Sequence, residues 1–314
     1  MSVLSKSDLK NKRVGVLLGG LSSEREVSLR TGAAVAKALR SLGYDVVEID
    51  VGKDVAARLT AEKVDVAWLA LHGRYGEDGS IQGLLESLFI PYTGSGVLAS
   101  AVGMDKVYAK WIFTTHGIPT PPYKTFRDVK SARDAADELP FSYPVVVKPS
   151  REGSSVGVHV CKTKEAYLAA VEDASKHAGT LLVEQFIRGR EVQGAVLDDE
   201  ALGVIEVVVA REFYDHTAKY TSGSGTKYLF PAPLPADQYE RVNAVCLAAH
   251  RALGCQGASR SDVIITEGGD VFVLETNTLP GMTETSLLPK IAAGRGLDFP
   301  ALCERILQGA SLKA

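Results

Sequence analysis

The chain has 314 residues, 46% of them hydrophobic and 23% charged, and a formal net charge of −3. That balance is typical of a globular protein, and the slight negative charge offers no footprint for nucleic acid or an anionic membrane surface. No apolar run approaches the roughly 18 residues that a spanning helix needs. The opening MSVLSKSDLKNKR lacks the apolar stretch and small-residue cleavage site of a secretory signal, so a cytoplasmic protein is expected.

The length exceeds one ordinary core and predicts two or three domains. Val14–Leu18 is a short apolar run before Gly19 and Gly20, which reads as a buried strand and a turn. Glu26–Arg40 has helical apolar spacing, and Tyr44–Val51 and Val64–Leu71 read as two further strands. This alternation predicts a parallel sheet covered by helices. A boundary is expected near Pro91–Gly96, followed by one apolar helix over Val97–His116 and an extended Pro119–Pro122. Strands are then predicted at Pro144–Lys148, Val156–Cys161 and Thr180–Ile187, with a helix at Glu165–His177. Glu191–Leu197 opens a new unit, a helix follows at Tyr239–Leu253, and Ser261–Thr266 with Asp270–Leu274 reads as a hairpin. The expected domains are therefore 1–95, 96–187 and 188–314. Tyr220–Thr226 (YTSGSGT) reads as a mobile loop by composition. Cys161, Cys246, Cys255 and Cys303 form no CxxC pair and are expected as reduced thiols.

Five segments can carry chemistry. On the hairpin, Glu275 and Asn277 are two apart and share a face, and an antiparallel partner brings Asp262 beside them. Two carboxylates and an amide oxygen suit Mg²⁺ that also holds nucleotide phosphates; the alternative is a polar strand end in solvent. In Lys148–Gly157 a strand delivers a lysine to a loop containing Gly153, Ser154, Ser155 and Gly157. Backbone N–H groups and hydroxyls there can wrap phosphate oxygens, although the order is not that of a P-loop and a plain turn is the alternative. Glu184 and Glu191 flank a strand end that could take an adenine edge and a ribose, or could be ordinary surface charges. Glu24 lies where the first strand meets its helix. An acidic group there disfavours a dinucleotide and suits an ammonium ligand, or else complements the helix N-terminus. His72 lies in the loop Leu71–Gly79 after another strand, where a structural role is the commoner one.

Taken in order, GGLSSEREVSL, LHGRYGEDG, GSGVLASAVGMDK, VVVKPSREGSSVG, EQFIRGRE, YDHTAKY, ASRSDV and LETNTLPGMTETSLLP resemble the D-alanine–D-alanine ligases of the ATP-grasp superfamily over nearly the whole chain. The resemblance implies three α/β domains, an N-terminal open parallel one and two that grip ATP. It implies that Lys106, Lys148 and Lys219 reach ATP phosphates beneath the loop Gly153–Gly157, and that Glu184 and Glu191 hold adenine and ribose. Asp262, Glu275 and Asn277 would hold Mg²⁺ (two ions, with Mn²⁺ as a substitute). Glu24, with Ser154 and Tyr220, would receive the ammonium of the first D-alanine, with His72 close by. Arg260 and the Gly281 N–H would form the oxyanion site, and Ser286 and the Leu287 N–H would hold the second D-alanine's carboxylate. The implied activity is ATP-dependent formation of D-alanyl-D-alanine for peptidoglycan synthesis, by a homodimer. A D-lactate or D-serine ligase and a non-catalytic nucleotide binder are the alternatives. Tyr220 favours D-alanine over D-lactate, and the intact Arg260, Asp262, Glu275 and Asn277 set speaks against lost catalysis. The departures are an inserted-looking Ser-Gly-Ser-Gly after Ala218, and Val158 and His159 after the glycine loop, where the family pattern leads one to expect a methionine.

Overall fold

A computed structural model describes residues 6–208, 227–283 and 285–313; Lys219 and Tyr220–Thr226 lie outside these. β1 (Arg13–Leu18), β2 (Asp45–Asp50) and β3 (Val66–Leu69) form a parallel sheet in the order β2-β1-β3. Successive side chains of a strand face opposite ways. Val14, Val16 and Leu18 accordingly join one core with Val35 and Leu39 of the helix Arg25–Ser41 and with Leu302 and Ile306 of the C-terminal helix Phe299–Gln308. Leu17 joins a second core with Ile49, Leu59, Leu69 and Leu85. Both faces of β1 are covered, which is why the strand reads as an unbroken apolar run.

The helix expected over Val97–His116 is two helices, Val97–Met104 and Lys106–Thr115. The break falls at Asp105, whose extended backbone (φ −94°, ψ 103°) lets its carboxylate accept from Val107 N at 3.1 Å and cap the second helix. Ala109 and Phe113 of that second helix are buried in a core with Val263, Val271 and Val273.

β4 (Tyr123–Phe126), β5 (Val145–Pro149), β6 (His159–Cys161) and β7 (Leu181–Gln185) form a four-stranded antiparallel sheet in the order β4-β7-β5-β6. The helix Lys164–Ala174 packs on it through Tyr167, Ala170 and Val171. β8 (Arg190–Leu197), β9 (Glu200–Val208), β10 (Lys227–Leu229), β11 (Ala258–Ile265) and β12 (Val271–Asn277) form a five-stranded antiparallel sheet in the order β10-β9-β8-β11-β12. Val242, Cys246 and Ala249 of the helix Ala236–Ala252 fill its core. The β11–β12 hairpin turns at Gly269, whose φ of +84° is one that a side chain rarely tolerates. Gly269 N donates to Thr266 O at 3.0 Å.

Candidate active site

The hairpin sets the first part of the site. Asp262 stands directly opposite Glu275, and Arg260 opposite Asn277, so all four lie on one face. Ser261 and Thr276 point to the other face, where their buried hydroxyls meet at 2.8 Å. A bulge follows at Asp262/Val263; such an irregularity re-aims the strand locally. Arg260 Nε donates to Asp262 Oδ1 at 2.9 Å. Asn277 Oδ1 accepts from Leu279 N at 2.9 Å, which orients its amide at the strand end.

The four-stranded sheet and the helix Lys106–Thr115 bring the cations. Lys106 Nζ lies 3.1 Å from Glu275 Oε2 and donates to Glu152 O at 2.7 Å, so it touches both the hairpin and the glycine-containing loop. Lys148 on β5 and Glu184 on neighbouring β7 meet at 2.7 Å, and Lys110 holds the other Glu184 oxygen at 2.8 Å. Burial works against the Glu184 charge, yet Lys110 and Lys148 together hold its carboxyl below the usual range. Burial likewise opposes the Lys148 ammonium, but Glu184 prevails and keeps it above the ordinary lysine value. For Lys110 burial prevails and brings it down to about 8. Glu184 is thus a buried carboxylate that orients two lysines, and the nearby strand backbone remains for a nucleotide edge. Glu191 begins the next unit at the edge of β8, where its Oε1 accepts from Gln193 Nε2 at 3.2 Å.

Lys110 was not singled out in the sequence, although a lysine four residues after Lys106 in an otherwise apolar helix is a readable signal. A helix puts the pair on one face. Asp105 and Arg151 were missed as well. Arg151 Nε donates to Asp105 Oδ2 at 2.7 Å and Lys106 N donates to Ser150 O at 2.9 Å, so the helix start grips the root of the glycine loop. In that loop Ser154, Ser155 and Gly157 have φ of +52°, +63° and +66°. A turn that holds non-glycine residues in the left-handed region is costly, and such strain concentrates at ligand clamps.

The loop reaches the first sheet. Ser154 Oγ donates to Glu24 Oε1 at 2.5 Å across 130 residues of sequence. Glu24 holds the N-cap position of its helix but makes no side-chain cap bond there. Its carboxylate turns instead into the space beside Gly73, where a side chain at Gly73 would come within 2.8 Å of Glu24 Oε2. Ser22 Oγ donates to His72 O at 2.6 Å, and the buried His72 ring meets Thr31 Oγ1 through Nε2 at 3.1 Å. His72 also approaches the C-terminal segment: a Cβ at Gly281 would lie 3.8 Å from its Cε1 and 2.9 Å from Ser286 Oγ. Ser286 precedes the helix Leu287–Gly294, and its Oγ accepts from Thr283 N at 3.0 Å. Glu24, His72, Ser154, Gly281 and Ser286 therefore share one neighbourhood, drawn from all three sheet regions. The roles expected of Lys219 and Tyr220 fall outside the described residues.

Two antiparallel units, one presenting lysines and a glycine-containing loop to a carboxylate hairpin on the other, define the ATP-grasp class of fold. Residues 112–308 match the family described as D-ala D-ala ligase C-terminus, and residues 53–95 match D-ala D-ala ligase N-terminus. A D-alanine–D-alanine ligase of Anaeromyxobacter sp. (strain K) is 58% identical over 303 residues, covering 96% of this chain and 98% of that protein. One from Geotalea uraniireducens (strain Rf4) is 55% identical over 310 residues, covering 99% of each. Crystal structures of the Bacillus anthracis D-alanine–D-alanine ligase superpose with TM-scores of 0.84 (39% identity) and, complexed with ATP, 0.83 (36% identity). Each covers 95% of this chain and 97% of that one. The chain belongs to the D-alanine–D-alanine ligase family.

Proposed function

We propose that this enzyme joins two molecules of D-alanine at the expense of ATP, through an acyl phosphate, and so supplies peptidoglycan precursor synthesis. The observation that carries the reading is Lys106, which touches the glycine loop at Glu152 O and the hairpin at Glu275 at once. One cation links the two surfaces between which a polyphosphate has to lie.

A carboxylate is a poor electrophile because its leaving group would be oxide. Transfer of the ATP γ-phosphoryl group to the first D-alanine's carboxylate removes that barrier, provided the charge on the phosphoryl oxygens is spread. Lys106 and Lys148 serve that task, with Lys219 reaching the γ-phosphate, and the loop Gly153–Gly157 keeps water from the acyl phosphate. Glu24, held by Ser154, receives the first D-alanine's ammonium, and Tyr220 is the third residue assigned to that group. Ser286 and the Leu287 N–H hold the second D-alanine by its carboxylate. Its free amine attacks the acyl carbon; the tetrahedral oxyanion leans on Arg260 and the Gly281 N–H, and phosphate departs.

Asp262, Glu275 and Asn277 present oxygen donors on one hairpin face, a set that fits Mg²⁺. Among the described residues no cluster of three or more His, Cys, Asp and Glu side chains is found, so these three side chains would hold the ion together with ligands from outside the protein. Bound there, Mg²⁺ supplies neutralisation of phosphate charge. Arg260 and Lys106 hold Asp262 and Glu275 in the meantime and keep those two carboxylates from repelling each other.

Residues 1–95, 96–187 and 188–314 are proposed as the three domains, each built around one of the three sheets. A cytoplasmic setting is supported by four buried free thiols. The homodimer is supported by Val97 and Leu98, 41% and 76% exposed on an apolar helix; light scattering on the purified protein measures it. The activity is tested by product analysis after incubation with ATP, Mg²⁺ and each enantiomer of alanine. D-alanyl-D-alanine with one phosphate per dipeptide is expected from the D form only. Phosphate release without dipeptide, or turnover of L-alanine, sinks the assignment. A D-lactate ester as main product at neutral pH would favour the hydroxy-acid alternative.

A further inference from the structure

Lys110 lies one turn beyond Lys106 and is fully enclosed, at 0% exposure. An ammonium group removed from water needs acceptors for its protons. Glu184 Oε1 forms an ion pair with it at 2.8 Å, Thr120 Oγ1 accepts one of its protons at 2.5 Å, and the Tyr123 ring centroid lies 5.4 Å away. Thr120 passes its own proton to Val273 O on β12 at 2.8 Å. Lys110 therefore joins β7 of the four-stranded sheet to β12 of the five-stranded one. Both oxygens of Glu184 are used, one by Lys110 and one by Lys148. Two ammonium groups share one carboxylate, and the cluster carries one surplus positive charge beside the cleft. Without Lys110, Glu184 would neutralise Lys148 one to one.

We propose that Lys110 is a positioning residue for the nucleotide: by occupying one oxygen of Glu184 it leaves Lys148 both oriented and electrostatically available to phosphate, and through Thr120 it sets the spacing of the two sheets that enclose the nucleotide. The inference rests on the reading of this cleft as the ATP site.

Lys110→Met keeps the aliphatic stem and removes the charge. It is expected to weaken ATP binding, measured by calorimetry without amino acid, by roughly tenfold or more, because the surplus positive charge of the cluster is lost and Glu184 then neutralises Lys148. KM for D-alanine is expected to stay within about twofold, since Lys110 is fully enclosed by Glu184, Thr120 and Tyr123 and is none of the groups assigned to D-alanine. Adding Glu184→Gln to Lys110→Met restores the single surplus charge and is expected to recover at least about threefold of the lost ATP affinity. Wild-type ATP affinity in Lys110→Met overturns the proposal. So does an equal loss for ATP and D-alanine, or a double variant weaker than the single one. Should Lys110→Met fail to fold, Thr120→Val removes one acceptor and leaves the charge in place. It is then expected to weaken ATP binding by about twofold to fivefold, and unchanged affinity overturns the proposal. Because ATP binding is read without turnover, wild-type protein that binds ATP but makes no dipeptide would sink the ligase reading and leave this inference standing.

Discussion

Arg260 Nε donates to Asp262 Oδ1 at 2.9 Å, and the role proposed for the same guanidinium during acyl transfer is to face the oxyanion. Arg260→Ala is expected to cost about 10²–10³-fold in kcat/KM, the range for removing an oxyanion donor. Steady-state kinetics with D-alanine as varied substrate measures it, and a loss under about tenfold would remove Arg260 from that role. Glu275 makes a comparable pairing with Lys106 at 3.1 Å. Glu275→Gln keeps the shape and removes the charge. The Mg²⁺ concentration for half-maximal activity is expected to rise several-fold, because a hard cation loses an anionic oxygen. An unchanged Mg²⁺ titration would take Glu275 out of the metal site.

Among the elements, the glycine loop depends on a helix distant from it in sequence. Asp105 caps the helix Lys106–Thr115 and also accepts from Arg151, and Lys106 bonds Ser150 O and Glu152 O. The break in the expected long helix thus has a use, since a continuous helix would present no cap and no free carboxylate to the loop root. Arg151→Gln is expected to raise KM for ATP several-fold with little change in melting temperature. Arg151 is 69% exposed, and exposed ion pairs contribute roughly 0–1 kcal/mol to stability. Arg151→Lys should recover part of the loss. Equal effects on ATP and D-alanine would show that the pair does not act through the loop.

For the molecule as a whole, the cores decide the chemistry of the thiols. Burial pushes Cys161 up to about 11 and Cys246, Cys255 and Cys303 up to about 12. All four are expected to stay silent to a disulfide reagent such as DTNB at pH 8 and to react once urea unfolds the chain; fast labelling of the native protein would contradict this. The same shifts set a pH dependence. Raised folded-state values mean that the native chain binds more protons than the unfolded one above about pH 9, so stability is lost as pH climbs toward 12. Lys110 and Lys313, held down to about 8 mainly by burial, contribute with the opposite sign, but two such groups face four thiols. The melting temperature should therefore fall from about pH 9 upward.

Much of the fold and site is legible in the sequence alone. A short apolar run ending in Gly19 and Gly20 located β1, the Gly268–Gly269 turn located the β11–β12 hairpin, and the spacing of Glu275 and Asn277 placed both on one face, because these patterns are local consequences of backbone geometry. The ordered motifs identified the family. What the sequence left open was settled at long range. Whether Glu24 complements its own helix or reaches elsewhere was decided by Ser154, 130 residues away. The start of the second helix is marked by an aspartate whose second partner, Arg151, comes from another sheet region. Lys110 looked like one more residue of an apolar helix until Glu184, Thr120 and Tyr123 closed around it. The physical reason is common to all three: local periodicity tells which way a side chain points, whereas its charge state and partner depend on groups that only the packing of separate sheets brings within hydrogen-bonding distance.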